Sequence, residues 1–109
     1  MSPALPQNKA MRLGEHQVSA IKALARRLLG DDARVILFGS RADDVQRGGD
    51  IDLLFETPRP VGNRAVALGQ LYVALIRDLG DRKIDVLLSD PTTPDAPVLR
   101  MARETGVVL

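Results

Sequence analysis

Apolar positions along this chain follow two rhythms, and the change from one to the other marks its elements. From Glu15 to Leu29, the residues Val18, Ile21, Leu24, Ala25, Leu28 and Leu29 recur at helical spacing and predict an amphipathic helix. Gly30 follows as a stop, and Arg26 and Arg27 suit the negative end of the helix dipole. Three short apolar runs, Arg34–Phe38, Asp50–Phe55 and Lys83–Leu88, have the β-branched and large apolar content of buried strands. Between the second and third runs, Thr57–Gly62 reads as a loop, and Asn63 caps a helix that reaches Leu79 and stops at Gly80. Asp90-Pro91 ends the third strand. A short helix capped by Asp95 then runs through Glu104 to Gly106, and Val107–Leu109 forms a last short strand. A strand–helix–strand unit from 50 to 88 is a right-handed crossover by default, which makes its two strands parallel neighbours.

Two stretches stand apart from these rhythms. Residues 1–13, with Pro3 and Pro6 and no periodicity, read as a flexible leader, leaving 14–109 as a single domain. The segment Ser40–Gly49 begins as a turn or short helix and ends in the pair Gly48-Gly49. The helix over 63–79 is unusual in another way. It is apolar around most of its circumference (Val66, Leu68, Leu71, Tyr72, Val73, Leu75, Ile76 and Leu79), more than one packed stripe needs. Extra core and a second interface both account for that surplus. The small sheet has limited surface to cover it, which favours an interface, including one that makes a homo-oligomer.

Composition narrows the function classes. The chain has 109 residues with 45% hydrophobic, 27% charged and a net charge of +1, which suits one globular domain and argues against a dedicated nucleic-acid coat or polybasic membrane binder. There is no cysteine, so disulfides and thiolate metal sites are excluded. No apolar run approaches membrane-spanning length and no signal-type apolar core opens the chain, so the cytoplasm is the expected compartment. Aromatic residues are only Phe38, Phe55 and Tyr72, too few for a base-stacking platform, and no direct nucleic-acid binding is expected.

Chemistry concentrates in LFGSRADDVQRGGDIDLLF, residues 37–55. Strand alternation puts Asp50 and Asp52 on one side, about 7 Å apart, while Ile51 and Leu53 turn into the core. Paired carboxylates at the mouth of an apolar strand call for a cation, and a hard divalent ion such as magnesium is the natural one. Asp85 in the third strand lies opposite in alternation to Ile84, Val86 and Leu88. If the two strands are neighbours, Asp50, Asp52 and Asp85 converge on one pocket able to hold two divalent ions for an in-line displacement at phosphorus. Gly39-Ser40 supplies the other part: a strand-ending glycine lets a phosphate approach backbone amides, Ser40 adds a hydroxyl donor and Arg41 a charge. Read blandly, the aspartates are a solvated strand start, Gly39 a turn glycine, Ser40 a helix cap and Arg41 a surface arginine. It is the combination in strand register that favours a site. His16, the only histidine, reads as exposed and idle, and Asp31-Asp32 as solvated loop charges.

Gly39-Ser40, nine residues, Asp50-Ile51-Asp52 and a later strand carrying Asp85 resemble the DNA polymerase β-like nucleotidyltransferase superfamily. LFGSRA, DIDLLF, KIDVLL and ETGVVL together look like its minimal members, the minimal nucleotidyltransferases, over roughly residues 14 to 109. The resemblance implies an α/β (α+β) fold, a small mixed sheet flanked by helices, and transfer of a nucleoside monophosphate from a magnesium-bound nucleoside triphosphate with release of pyrophosphate. It also implies roles. Asp50 and Asp52 would ligate both Mg2+ ions, Asp85 would complete the catalytic-metal site and help activate the acceptor hydroxyl, and Gly39 and Ser40 would hold the β- and γ-phosphates. Two positions depart from the family's usual pattern: Asp43-Asp44 where a basic residue and glycine are frequent, and Gly49 where serine is frequent. Neither removes a ligand.

Minimal members commonly pair with HEPN-domain ribonuclease toxins as antitoxins, some by AMPylating the toxin. The resemblance therefore implies transfer of AMP from ATP to a hydroxyl of a HEPN partner protein. The competing expectation is a non-catalytic antitoxin that binds its HEPN partner stoichiometrically. A third reading, an antibiotic nucleotidyltransferase with a small-molecule acceptor, ranks low because such enzymes normally carry an additional helical domain.

Overall fold

The computed structural model describes residues 13–39, 50–80 and 82–109. Their elements run α1 (Glu15–Leu29), β1 (Arg34–Phe38), β2 (Ile51–Glu56), α2 (Arg64–Leu79), β3 (Ile84–Ser89), α3 (Pro97–Thr105) and β4 (Val107–Val108). The strands form one mixed sheet in the order β3-β2-β1-β4. β1 pairs antiparallel with β2 and β4, and β2 pairs parallel with β3. This is the small mixed sheet flanked by helices that the sequence predicts.

Alternation along the strands builds a core on each face. Ile51, Leu53 and Phe55 join Val35, Leu37, Ile84, Val86 and Leu88 beneath α1 and α2, which contribute Ile21, Leu24, Leu71 and Leu75 among others. On the other face, Ile36 and Leu54 pack against Leu99 and Ala102 of α3. β2 is therefore apolar on both sides, as a central strand between two helical layers must be. Gly106 lets the chain turn from α3 into β4 at close quarters: a Cβ there would overlap Ile36 Cγ2 and lie 3.0 Å from Leu37 O.

β3 is an edge strand among the described residues, and side chains occupy two of its outward backbone groups. Val86 N donates to Tyr72 Oη at 3.2 Å, and Arg64 Nη2 donates to Leu88 O at 2.6 Å. Covering edge groups in this way prevents another strand from adding to the sheet.

Several boundaries differ from the sequence reading. β2 and β3 each start and end one residue later, because the ladder opens where Ile51 N donates to Lys83 O and closes where Thr57 N donates to Ser89 O. Asp50 and Lys83 thus lie just outside the strands. α3 is capped by Ala96 rather than Asp95, with Pro97 fitting the first helical turn, and the Asp95 carboxylate instead pairs with Arg100. Leu13, read as the end of the leader, has no exposed surface and belongs to the main core. The rest of the leader lies outside the described residues, as does Ser40–Gly49.

Asp90, read from sequence only as a strand end, organises two loops. Its carboxylate accepts from Val61 N at 2.7 Å, Thr92 N at 2.9 Å and the Thr92 and Thr93 hydroxyls, and Arg64 lies 3.7 Å away. Those donors hold its pKa well below the usual carboxylate range, the Thr92 hydroxyl first and the Val61 amide next.

Candidate functional site

Register places the aspartates. On the α3 side of the sheet, Phe38, Asp52 and Asp85 form one row across β1, β2 and β3, and Ile36, Leu54 and Leu87 form the next. α3 covers the second row through Leu99 and Ala102. The first row lies at the end of the sheet where β1 finishes and β2 and β3 begin, so carboxylates stand where the helical cover stops.

Asp52 and Asp85 are direct cross-strand partners, with their carboxyl groups on the same face of the sheet. Asp52, half-buried, is raised from the ordinary 3.8 to about 6, first by desolvation, then by the hydrogen bond to Asp85 and the charges of Asp85 and Asp50, with Lys83 opposing. Asp50 is exposed, one residue outside β2. Of the predicted triad, the structure joins Asp52 and Asp85 directly and sets Asp50 near enough to act through its charge. Among the described residues, no group of three or more His, Cys, Asp or Glu side chains is gathered tightly enough to hold a metal ion as placed.

Gly39 closes the site from the β1 side. Its φ of 108° belongs to the region that disfavours side chains, and a Cβ there would overlap Asp52 Oδ2 and lie 2.9 Å from its Cγ. The backbone after β1 is therefore pressed against the Asp52 carboxylate, an approach open to glycine alone. Ser40 and Arg41, the other predicted phosphate contacts, lie outside the described residues.

Lys83 is a site residue that sequence reasoning missed. It is exposed at the head of β3, and its charge acts on Asp52 against the surrounding carboxylates. The signal was available, because Lys83 and Asp85 are two apart and share a face by alternation.

The donor set suits a hard divalent cation. It consists of carboxylate oxygens alone, and the repulsion among them that helps raise Asp52 is one a bound cation would relieve. Chemically, a carboxylate pair at an open sheet end beside a close-approaching backbone turn can bind cation-bound phosphates and accept a proton.

A family model described as a nucleotidyltransferase domain matches residues 18–101, a span that contains Gly39, Asp50, Asp52, Lys83 and Asp85. The chain matches no curated protein.

Proposed function

The chain belongs to the nucleotidyltransferase domain family, and from that premise we propose that it transfers AMP from ATP, with Mg2+, to a hydroxyl of a partner protein in the cytoplasm. The observation that carries this reading is the Asp52–Asp85 cross-strand pair beneath Gly39. In the proposed site, Asp50, Asp52 and Asp85 hold the divalent ions, and those ions when bound neutralise phosphate charge and lower the barrier to displacement.

The chain's own residues supply position and proton traffic. The Gly39 turn admits the triphosphate close to the backbone, with Ser40 and Arg41 following as donors. Lys83 offers a cation beside the carboxylates for a phosphate oxygen. An acceptor hydroxyl attacks the α-phosphorus in line, a new P–O bond forms, the bond to the bridging oxygen breaks, and pyrophosphate leaves. The hydroxyl proton passes to a carboxylate oxygen of Asp85. Positioning and charge stabilisation account for most of such a reaction, which asks little covalent work of the protein.

The proposed acceptor is a protein that brings its own docking surface. The proposed partner is a HEPN-domain ribonuclease toxin, with this chain as its antitoxin. The test is the intact mass of the protein encoded beside this one, co-expressed with wild type and with Asp52→Asn. A nucleotide-sized increment with wild type alone supports transfer and identifies the acceptor. A second reading, a binding-only antitoxin, draws on the exposed apolar residues of α2. An unmodified neighbour that co-purifies with both versions would favour it.

A further inference from the structure

We propose that the groove between α1 and α2 is a docking surface for an acidic, amphipathic helix of a partner protein. The groove has a volume of about 520 Å³, and its lining includes Arg27 and Leu28 of α1 and Val66, Gly69, Val73 and Arg77 of α2. It lies on the helical layer that covers the opposite face of the sheet from Asp52. The inference therefore does not rest on the chemistry assigned to the carboxylates.

Three observations specify the occupant. First, the floor is apolar and open: Val66 is 53% exposed, Val73 68% and Ile76, one turn on, 52%. The apolar surplus of α2 is not consumed by its own core, which takes Ala67, Leu71, Ala74, Leu75 and Leu79. Contiguous exposed apolar surface of this kind marks an interaction site.

Second, Gly69 sits mid-helix, where glycine weakens a helix relative to alanine, yet a Cβ there would meet nothing within 4 Å. Packing within the chain does not require that glycine. A helix lying close across the groove does, because the missing side chain lets the two backbones approach.

Third, the charged residues lining the groove are Arg27 and Arg77, with no carboxylate among the lining. Asp78 approaches Arg77 at 3.5 Å, but both are solvent-exposed and screened. A second copy docked on this face about a two-fold axis would set arginine rim against arginine rim, since such an interface uses the same patch on both subunits. A different chain with apolar residues at i, i+3/i+4 and i+7 and acidic flanks satisfies floor and rim together.

The test uses the full chain and two fluorescently labelled designed peptides: an amphipathic helix with a leucine stripe flanked by glutamates, and its twin with lysines instead. Anisotropy titration is expected to show saturable binding of the glutamate peptide that weakens with salt, and at least tenfold weaker binding of the lysine peptide. Val73→Glu and Gly69→Leu are expected to weaken the glutamate peptide at least tenfold without lowering the thermal midpoint. Asp52→Asn is expected to leave binding unchanged, and Arg27→Glu with Arg77→Glu to reverse the preference. Equal affinity for both peptides, absence of saturable binding of the glutamate peptide, or indifference to Val73→Glu overturns the proposal. So does self-association by sedimentation that Val73→Glu abolishes, which would assign the face to a second copy.

Discussion

A methyl group added at Gly39 would occupy the space of the Asp52 carboxylate, in a backbone conformation that also disfavours it. Gly39→Ala is accordingly expected to cost about 1–3 kcal/mol in urea unfolding through backbone strain. It should reduce nucleotide transfer more severely than that loss of stability explains, because the carboxylate itself must move. Asp52 also titrates with a distinctive sign. Its folded value of about 6 lies above the ordinary 3.8, so the folded chain keeps a proton that the unfolded chain has released in that window. In EDTA, stability is thus expected to fall as pH rises from about 4 to 6, and Asp52→Asn should flatten that slope in thermal melts across pH. Asp90 has the opposite sign. Its folded pKa is held well below the usual range, so its contribution is complete above the ordinary 3.8 and is lost as pH falls through the folded value. The two slopes occupy different windows and separate in one pH series.

Among the elements, α2 does three jobs at once. Its inner face fills the core, its outer face lines the groove, and its flank covers the edge of β3 through Arg64 and Tyr72. Tyr72→Phe keeps the ring but leaves the Val86 amide without its acceptor, and is expected to cost about 1–3 kcal/mol in urea unfolding. Gly69→Ala should act the other way and raise stability by up to about 1 kcal/mol, since the added methyl meets open space and improves helix propensity. The first and second helices were legible from apolar spacing and from their caps, Asn63 and the glycines Gly30 and Gly80. The third was harder. Asp95 has the chemistry of a cap, but Pro97 fixes the helix start one residue later and leaves that carboxylate to Arg100. Tyr72 was illegible as an edge cap, because the bond depends on how α2 rotates against β3, which packing decides and spacing does not.

The whole molecule separates its chemistry by face, and that separation makes a further claim. Carboxylates gather at the uncovered end of the sheet on the α3 side, while arginines rim the groove on the layer formed by α1 and α2. Alternation along β2 and β3 made the first half of this arrangement readable, because it sets Asp52 and Asp85 on the face opposite Ile51, Leu53, Ile84 and Val86. Register supplied the rest, since only the parallel alignment sets Asp52 against Asp85, and a shift by one residue would have turned Asp85 into the core. The role of Asp90 and the arginine rim depended on contacts between segments distant in sequence, and no local pattern announces them. With a buried sheet between site and groove, substitutions at the two are expected to act independently. On the proposed function, added Mg2+ and ATP should raise the thermal midpoint of the wild type, as ligands that bind only the folded state do. Val73→Glu should leave that rise unchanged and Asp52→Asn should remove it, with the double variant matching Asp52→Asn alone. A rise that Val73→Glu also diminishes would mean that the two faces communicate through the sheet.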